Sequence, residues 1–529
     1  MAQGARPFCG LPTSPPTNVI EKQFAHESLP LLNIPMTIID GQSNAELANV
    51  NLKLTKRSLA NENLPIWMMN GAIKTEDLLK GNRNDLIRNH EIMKLVGEFS
   101  TYQQFETSSS AVYFHERREF HGMIDTTISI RGLEVKYVNP EDMTRIKLNE
   151  HGITKNPYNV NHETGVTNNN LHDNAGVNSA NNAMRTYNSH VYDAYPEILV
   201  VVTSNMMEQI IAGATCTNTD LHTSIVAYVL TLFNGIDMLF SKFNEPKIQI
   251  NIAGIIIGKD KESFSFLDAC LIDFTDVKGS ITKKIDGKCA MSRMKKFLDG
   301  RSTLIPSESY DIMVILTGDN IVDMVDPTNK DMNKRYRQVK GLALLNKDLY
   351  GDRKKSRSSN IAAIVNARGY YESYSAVAHE IAHTLTVYHD EPPYLTDNKQ
   401  CCGNLMKTDS TRCKKCLSWS KTSQETLKLF FSSPHCCSFI NKPGSLFPSG
   451  QYKMLTADEQ CKCYGYESTK KFTKIPDNFC NSQLKCKTTN DAFIDTVIPM
   501  YGTPCQDKKV CSENICQTIA ALGNPNSKN

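Results

Sequence analysis

The segment Ala378–Asp390, AHEIAHTLTVYHD, carries residues that could hold a metal ion and activate water. His379 and His383 are four residues apart, which places both imidazoles on one face of a helix, one turn apart. Glu380 follows the first histidine, where a carboxylate can take a proton from water that zinc has acidified to a pKa of roughly 7. The pattern therefore predicts zinc-assisted hydrolysis with Glu380 as the general base.

A third histidine follows the helix and completes a candidate ligand set. His389 stands six residues after His383, so a helix continued through that interval would point its imidazole away from the first two. The chain must therefore leave the helix and turn back, and Asp390 follows directly. Ordinary surface or core histidines are one alternative, and an unrelated zinc protease with an acidic third ligand is another. The spacing of three histidines and one glutamate favours a single zinc site.

The elements around this segment must hold its side chains in place, and their apolar patterns predict an α/β unit. Residues 221–243 have apolar residues at helical spacing, and SYSAVAHEIAHTL combines good helix formers with an apolar side. Strands are predicted at the apolar runs 197–203, 247–258, 311–317, 341–345 and 361–365. Strands that alternate with helices indicate a central sheet.

A methionine beyond the zinc segment is a second candidate component of the site. Met406 follows a Gly-Asn turn in CCGNLMKT, 17 residues after His389. We predict that it forms an apolar floor under the metal, and an ordinary core methionine is the alternative.

Composition and charge limit the classes of protein that this chain can be. With 529 residues it exceeds one hydrophobic core, and its length predicts about three domains. A formal net charge of +3 is close to neutral for this length and gives no indication of nucleic-acid or membrane binding. The sequence contains no apolar run long enough for a transmembrane helix, and its N-terminus lacks the pattern of a signal peptide.

The cysteines are concentrated in the C-terminal part of the chain. Of 17 cysteines, four precede residue 400 and 13 lie between Cys401 and Cys516. This density predicts a disulfide framework in an oxidising compartment, so we expect a secreted protein whose leader precedes Met1. The alternative is a reducing compartment with zinc-binding cysteine pairs, for which Cys413 and Cys416 provide one C-x-x-C spacing.

The zinc segment resembles the signature of the reprolysins, the adamalysin-type metzincin proteases, and most of all the secreted salivary and venom metalloproteases of arthropods. The signature H-E-x-x-H-x-x-G-x-x-H-D with a following Met-turn is matched by His379, Glu380, His383, His389, Asp390 and Met406. YPEILVVV, YDIMVILTG and GTPCQDKKVCSENIC are similar to further family segments, and the similarity covers most of residues 190–516. The resemblance implies an α/β (α+β) metzincin catalytic domain with a central mixed sheet of five strands, an active-site helix and a Met-turn.

The resemblance also implies three parts along the chain. Residues 1–190 would be a propeptide with an Asn-rich linker, residues 191–437 the catalytic domain, and residues 438–529 a small Cys-rich module.

Three further residues are candidates for regulation or structure. Cys9, in RPFCGLP, is a candidate cysteine switch, in which a propeptide thiolate blocks the zinc; an incidental N-terminal cysteine is the alternative. Glu197 and Asp311 fall where the family places acidic ligands for a structural calcium ion, and hard carboxylate oxygens suit that ion. Ordinary surface acids are the alternative for this pair.

One position departs from the family signature. The family glycine that turns the chain toward the third histidine is Thr386 here. That turn requires a positive φ, and a β-branched residue with positive φ costs on the order of 1–3 kcal/mol. We therefore predict either a strained Thr386 or a turn of different shape. Zinc binding should survive, because a structural zinc site releases roughly 10 kcal/mol or more.

The combined prediction is a secreted zinc-dependent endopeptidase, made as a zymogen, that hydrolyses peptide bonds of extracellular proteins. Its cofactor would be Zn2+, with Ca2+ as a second candidate ion. We expect protein substrates, no nucleic-acid or membrane partner, and a monomer. The rival prediction is a catalytically weak or inactive secreted zinc protein that acts as a binding module. Thr386 favours the rival, whereas Glu380 argues against it because a purely structural site has no use for that carboxylate.

Overall fold

The structure of the chain is a computed structural model. No helix in the described residues is both long and apolar enough to cross a bilayer. Cys9 lies outside the residues that the structure describes, and so does the Asn-rich stretch except for residues 154–155. The described residues are 31–39, 46–56, 64–73, 75–80, 85–96, 99–104, 109–114, 119–124, 128–134, 144–147, 154–155, 191, 193–212, 221–260, 262–275, 280–306, 309–344, 362–367, 373–390, 405–406, 418–432, 439, 456–458, 461, 468–469, 476, 478–482, 484–488, 490–495, 499, 503–506, 509–512 and 515–518.

The N-terminal part of the chain forms strands almost throughout its described residues. Its elements are β1 (Leu31–Ile39), β2 (Glu46–Lys56), β3 (Ile66–Met69), β4 (Leu86–Arg88), α1 (His90–Val96), β5 (Phe99–Gln104), β6 (Ser109–Phe114), β7 (Glu119–Ile124), β8 (Ile128–Glu134), β9 (Thr144–Lys147) and β10 (Thr154–Lys155). Eight of these strands make one sheet in the order β10-β8-β7-β6-β5-β2-β1-β9. Its neighbours are antiparallel except for β1 and β9, which are parallel.

The part of the chain that carries the zinc segment alternates strands and helices. Its elements are β11 (Glu197–Val202), α2 (Ser204–Ala212), α3 (Leu221–Phe240), β12 (Asn251–Gly258), β13 (Leu271–Thr275), β14 (Ile281–Asp286), α4 (Gly287–Asp299), β15 (Ile312–Thr317), β16 (Ile321–Met324), α5 (Met332–Arg335), β17 (Tyr336–Val339), β18 (Gly341–Ala343), β19 (Ala362–Asn366) and α6 (Tyr374–Thr384). The five predicted strands are confirmed as β11, β12, β15, β18 and β19. The long predicted helix is α3, and the predicted active-site helix is α6.

The central sheet is mixed, as predicted, and has the order β18-β19-β15-β11-β12-β3-β4. Five consecutive strands from β19 to β3 run parallel, and the two edge strands β18 and β4 are antiparallel to their neighbours. Every residue of β11 and β15 is buried, which explains their continuous apolar sequences EILVVV and IMVILT. Along β11, Ile198 and Val200 face the core shared with α3 and α6, whereas Leu199 and Val201 face the core shared with α4.

The sheet has seven strands rather than the predicted five. The additional strands are β3 and β4, which come from the N-terminal part of the chain. β3 lies parallel to β12, and Ile255 N–H donates to Pro65 O at 3.0 Å. The β3 sequence IWMM is too short to be recognised as a strand from its pattern alone. It forms a strand by pairing with the edge of β12. The domain boundary between residues 190 and 191 remains a prediction. The central sheet contains strands from both sides of that boundary.

Disulfides are present on both sides of residue 400, as the cysteine density predicts. Cys270–Cys289 joins a 3-10 turn (Ser265–Cys270) to α4. Two small three-stranded sheets near the C-terminus are tied by Cys461–Cys486, Cys480–Cys511 and Cys505–Cys516. Their buried cluster consists largely of these cysteines, so the bridges substitute for a larger apolar core. The C-x-x-C pair at 413 and 416 lies outside the described residues.

The C-terminal elements are short apart from one helix. They are α7 (Lys421–Phe431), β20 (Ser468–Thr469), β21 (Lys485–Lys487), β22 (Phe493–Asp495), β23 (Pro504–Gln506), β24 (Lys509–Ser512) and β25 (Ile515–Thr518). α7 begins at an N-cap, Ser420, whose hydroxyl accepts the Ser423 N–H at 2.9 Å. Leu427, Phe430 and Phe431 of α7 enter the same core as α3 and α6. α7 thus shares a core with α6, the helix that carries the first two histidines of the zinc segment.

Candidate metal centre

The helix α6 holds the first two histidines inside the protein. It contacts α3, β18 and β19, and every residue from Val377 to Thr384 is buried. The sequence favours a helix here through its alanines and through apolar residues on the face toward α3 and the sheet. His379 and His383, one turn apart, are only 2% and 1% exposed. Burying two imidazoles without hydrogen-bond partners would cost free energy, so the groups that their ring nitrogens contact indicate what holds them in the interior.

The three histidines of the zinc segment converge on one point. His389 Nε2 lies 3.1 Å from His379 Nε2 and 3.2 Å from His383 Nε2. The other ring nitrogens point outward: His379 Nδ1 lies 2.7 Å from Leu405 O, and His383 Nδ1 lies 2.6 Å from Val387 O. A carbonyl oxygen can only accept a hydrogen bond, so both Nδ1 atoms donate. Their Nε2 atoms therefore carry lone pairs that face the centre of the triad.

The donor set fits a zinc ion. Ligands at 2.0–2.1 Å in a tetrahedron are separated by about 3.3 Å, close to the two separations observed between Nε2 atoms. Within the residues that the structure describes, one other cluster of candidate ligand atoms occurs, formed by Cys480, Cys505 and Cys516. These sulfurs are in disulfides and are not available as thiolates. The histidine triad is therefore the candidate metal centre.

The protonation states of the triad also suit metal binding. Burial lowers the pKa of His379 to about 4. Burial, followed by the charges of His379 and Arg337, lowers the pKa of His389 to about 3. For His383, burial and the two neighbouring histidines lower the pKa well below its usual range. Neutral imidazole is the form that binds metal, so no proton has to leave the triad at neutral pH.

The turn after α6 brings His389 to the other two ligands, and Thr386 is its key residue. Thr386 has φ 70°, which is the strained conformation, one of the two alternatives that the sequence left open. Its N–H donates to His383 O and the Val387 N–H donates to Ala382 O, both at 3.0 Å, which is the hydrogen-bond pattern of a Schellman cap. Val387 O in turn accepts the His383 Nδ1–H, so the turn also orients a ligand. Among the described residues, the buried Thr386 hydroxyl oxygen has no hydrogen-bond partner.

We expect Thr386→Gly to raise the free energy of unfolding by about 1 kcal/mol, because relief of ~1–3 kcal/mol of backbone strain exceeds the roughly 0.5–1 kcal/mol entropic cost of glycine. The measurement is thermal and denaturant unfolding of the full-length chain with zinc removed. Thr386→Ala is the matched control, since it removes the hydroxyl but keeps the Cβ that causes the strain. A glycine variant no more stable than the alanine variant would contradict the strained turn.

Glu380, which follows the ligand His379 on α6, is buried, and its carboxylate makes no hydrogen bond in the described residues. Burial raises its pKa well above the usual range of a glutamate. The carboxylate lies against the backbone of Gly341 on the edge strand β18. A Cβ at Gly341 would come within 2.6 Å of both Glu380 Cγ and Oε1, so any side chain there would displace the carboxylate. Sequence reasoning missed Gly341, because the two positions are far apart in the chain.

The segment after His389 is anchored by Asp390 and Met406. The Asp390 N–H donates to Met406 O at 2.9 Å, and Asp390 Oδ1 accepts the Ser420 hydroxyl hydrogen at 2.5 Å. Met406 is fully buried in the core that also contains α6. Leu405, its neighbour, is the residue whose carbonyl orients His379. Ser420 was also missed, although its position as the N-cap before an amphipathic helix is a sequence signal that could have identified it.

The two candidate calcium ligands lie together at the start of neighbouring strands. The Glu197 N–H donates to Asp311 Oδ2 at 2.9 Å, and the Asp311 N–H donates to Glu197 O at 2.8 Å. Burial, followed by the Glu197 charge, raises the pKa of Asp311 well above its usual range. Glu197 is buried and Asp311 is partly buried, so neither carboxylate is fully exposed. Calcium itself stays a prediction.

Comparison with known proteins finds metalloproteinases. No protein-family profile matches the chain. A Bombyx mori protein named "A disintegrin and metalloproteinase with thrombospondin motifs like" is 26% identical over 345 residues, which are 62% of this chain and 45% of that protein. "Venom metalloproteinase 2" of Eulophus pennicornis is 25% identical over 217 residues, 40% of this chain and 44% of that protein.

A mammalian relative gives the same indication. "A disintegrin and metalloproteinase with thrombospondin motifs 13" of Mus musculus is 23% identical over 310 residues, 56% of this chain and 20% of that protein. The chain spans less than half the length of each of these relatives. At this modest identity they confirm the resemblance to reprolysin-type metalloproteases, and they support a zinc metallopeptidase.

Proposed function

From the resemblance to reprolysin-type metalloproteases and the geometry of the triad, we propose that the chain is a secreted zinc endopeptidase that hydrolyses peptide bonds of extracellular proteins. The observation that carries the proposal is the convergence of three Nε2 atoms on one point, two of them from the helix α6 that also carries the buried Glu380. Zinc bound by His379, His383 and His389 would supply a Lewis acid that polarises a carbonyl group and acidifies water. The disulfides support an oxidising, extracellular location.

Glu380 is the proposed general base. Its carboxylate would take a proton from the attacking water and pass the same proton to the nitrogen of the leaving amine. Its two oxygens have no competing hydrogen-bond donor among the described residues, so they are available for this transfer. The contact with Gly341 limits where the carboxylate can lie, and a base held in one place transfers protons more effectively.

The strand β18 is the proposed wall for the substrate. It is the edge of the central sheet and pairs on one side with β19. An extended peptide could add to the remaining edge through main-chain hydrogen bonds, which would place its backbone alongside Glu380. This mode of binding selects a protein or peptide substrate in extended form.

Four further residues are proposed to support or regulate the metal centre. Met406 is proposed as the apolar floor of the site, supported by its complete burial and by the hydrogen bond that its carbonyl accepts from Asp390. Glu197 and Asp311 are proposed calcium ligands, supported by their contact. Cys9, outside the described residues, stays a proposed switch.

The division of the chain is likewise proposed. Residues 1–190 would be the propeptide, residues 191–437 the catalytic domain and residues 438–529 the Cys-rich module, acting as a monomer without nucleic-acid or membrane partners.

The proposal is tested by cleavage of an unfolded protein such as reduced, alkylated casein. The purified full-length chain is assayed intact and after a cut by a site-specific protease at a sequence introduced between residues 156 and 190. We expect cleavage by at least one form, inhibition by a zinc chelator and recovery when zinc is returned. If both forms bind one zinc but neither cleaves casein or a peptide library, the chain is a binding protein rather than a peptidase.

Gly341→Ala should lower kcat by roughly 10- to 100-fold, because the new Cβ displaces the Glu380 carboxylate and misplacements of about 1 Å are that costly. Zinc content should not change. Gly258→Ala, on β12, is the matched control, since its Cβ would crowd Phe264 and Ser204 at 3.0 and 3.1 Å rather than Glu380. Steady-state kinetics of both variants provide the measurement. A Gly341→Ala enzyme with unchanged kcat would contradict the positioning role.

A further inference from the structure

The N-terminal segment, defined here as residues 64–134, is built into the same fold as the site-bearing segment, residues 191–432. Its first contact is the strand β3, which extends the central sheet beside β12. The Lys259 N–H donates to Met69 O at 3.0 Å, and the ring of Trp67 lies on Gly254 so closely that a Cβ there would come within 2.4 Å of it. Gly254 thus provides the space that Trp67 occupies.

A second contact surrounds a buried arginine at the end of α4. The Arg301 side chain is almost fully buried, and its Nη1 donates to Leu78 O at 2.7 Å. Its Nη2 forms an ion pair with Asp85. Both of these partners belong to the N-terminal segment. Within the site-bearing segment, Arg301 Nη1 donates to Phe297 O at 3.0 Å and the guanidinium stacks on the Phe297 ring at 4.0 Å. Without the N-terminal segment, a buried cation would lose its carboxylate.

A third contact joins β5 and β6 to α3 through buried polar groups. Gln103 Nε2 donates to Asn234 Oδ1 at 2.8 Å and to Asp237 Oδ2 at 3.0 Å. Asn234 Nδ2 donates to Tyr102 O at 2.7 Å, and the Ser110 hydroxyl donates to Thr231 O at 3.3 Å. All of these groups are buried, so separation would leave polar atoms on both segments unpaired in an apolar setting unless water replaced the lost partners.

Apolar side chains also contribute to the interface between the two segments. Ile66, Met68, Val112 and Met123 of the N-terminal segment belong to one continuous core with β11, α3 and α6. α3 is buried at every residue from Ile225 to Phe240, which fits a helix covered by the central sheet on one side and by the N-terminal strands on another. Such an interface resembles the interior of a domain rather than the polar surface of a removable unit.

We propose that the N-terminal segment is a permanent subunit of the folded protein: after the chain is cut between residues 156 and 190, it stays bound without a covalent link to the site-bearing segment. The docking surface comprises α3, the β12 edge and Arg301, and its occupant is this chain's own N-terminal segment. β3 and β4 lie at the sheet edge opposite β18, next to which Glu380 lies. Retention of the segment is therefore compatible with an accessible site, and the proposal does not depend on catalysis.

The test is size-exclusion chromatography of the full-length chain cut at the introduced protease sequence. We expect the two fragments to co-elute in native buffer at a ratio of one to one, and to separate as two bands on a non-reducing denaturing gel. Elution as two separate folded species would overturn the proposal. A single band on the non-reducing gel would also overturn it, because a disulfide would then hold the fragments together.

Two variants locate the binding to the contacts described above. Arg301→Met and Gln103→Leu should each raise the dissociation constant of the cut protein at least tenfold, measured by dilution and from the concentration dependence of its Tm. Arg293→Met is the matched control, since its Nη1 donates to Phe266 O within the site-bearing segment. Equal effects of Arg293→Met and Arg301→Met on the dissociation constant would contradict the assignment of the docking surface.

Discussion

Replacing Glu380 by Gln should reduce peptide hydrolysis by about 100- to 10,000-fold, the usual contribution of a general acid–base residue, while zinc remains bound. Gln has nearly the same shape as Glu but cannot accept the proton from the attacking water. The fold should tolerate the change, because among the described residues the Glu380 carboxylate makes no hydrogen bond that an amide would break. The measurements are kcat on a quenched fluorescent peptide and the ratio of zinc to protein.

The control for this prediction is Glu425→Gln on α7. Glu425 is exposed and pairs with Lys421 at 3.7 Å, so its charge can be removed without touching the site. Full activity in the Glu425→Gln enzyme and loss in the Glu380→Gln enzyme would support the proposed base. Retained activity in Glu380→Gln, with zinc bound, would show that another group accepts the proton.

The second large effect is expected from the ligand His383. His383→Ala should abolish both zinc binding and hydrolysis, because two imidazoles remain where three converged. In the wild-type chain, zinc at a thousandfold excess over its dissociation constant should stabilise the fold by about 4 kcal/mol, and in the variant this zinc-dependent gain should vanish. Thermal unfolding with and without a chelator provides the measurement.

Two further variants separate metal binding from packing. His383→Gln replaces the imidazole by an amide that is closer to it in size than the alanine methyl group. The amide can still donate a hydrogen bond to Val387 O, and we expect this variant also to lose the zinc-dependent stabilisation. His90→Ala, at the exposed start of α1, should keep it. A zinc-dependent rise in Tm that persists in both His383 variants would mean that the metal binds elsewhere.

The sequence was informative where chemistry or burial is local. The three histidines and Glu380 lie within one short segment, and the spacing of two of them follows from helix geometry. β11 and β15 were recognisable because a strand buried on both faces in a parallel sheet is a continuous apolar run. For Thr386 the sequence left two alternatives, a strained residue or a turn of different shape, and the observed φ of 70° corresponds to the first.

The sequence was uninformative where a residue's role depends on distant parts of the chain. The contact of Gly341 with Glu380 arises only when β18 pairs with β19 at the edge of the sheet, and a lone glycine in a short strand carries no signal of it. The same holds for Arg301, whose partners come from the N-terminal segment. The addition of β3 to the central sheet was missed because four residues give too little pattern to identify a strand.

Zinc X-ray absorption spectroscopy of the purified full-length protein shows whether three histidines of this chain hold one zinc. We expect about one zinc per chain with nitrogen or oxygen neighbours at roughly 2.0–2.1 Å and an imidazole scattering pattern, and we expect this zinc to be lost in His383→Gln. Sulfur neighbours at about 2.3 Å would contradict this expectation, because the metal would then be held by cysteines. Folded protein that takes up no zinc would contradict it as well.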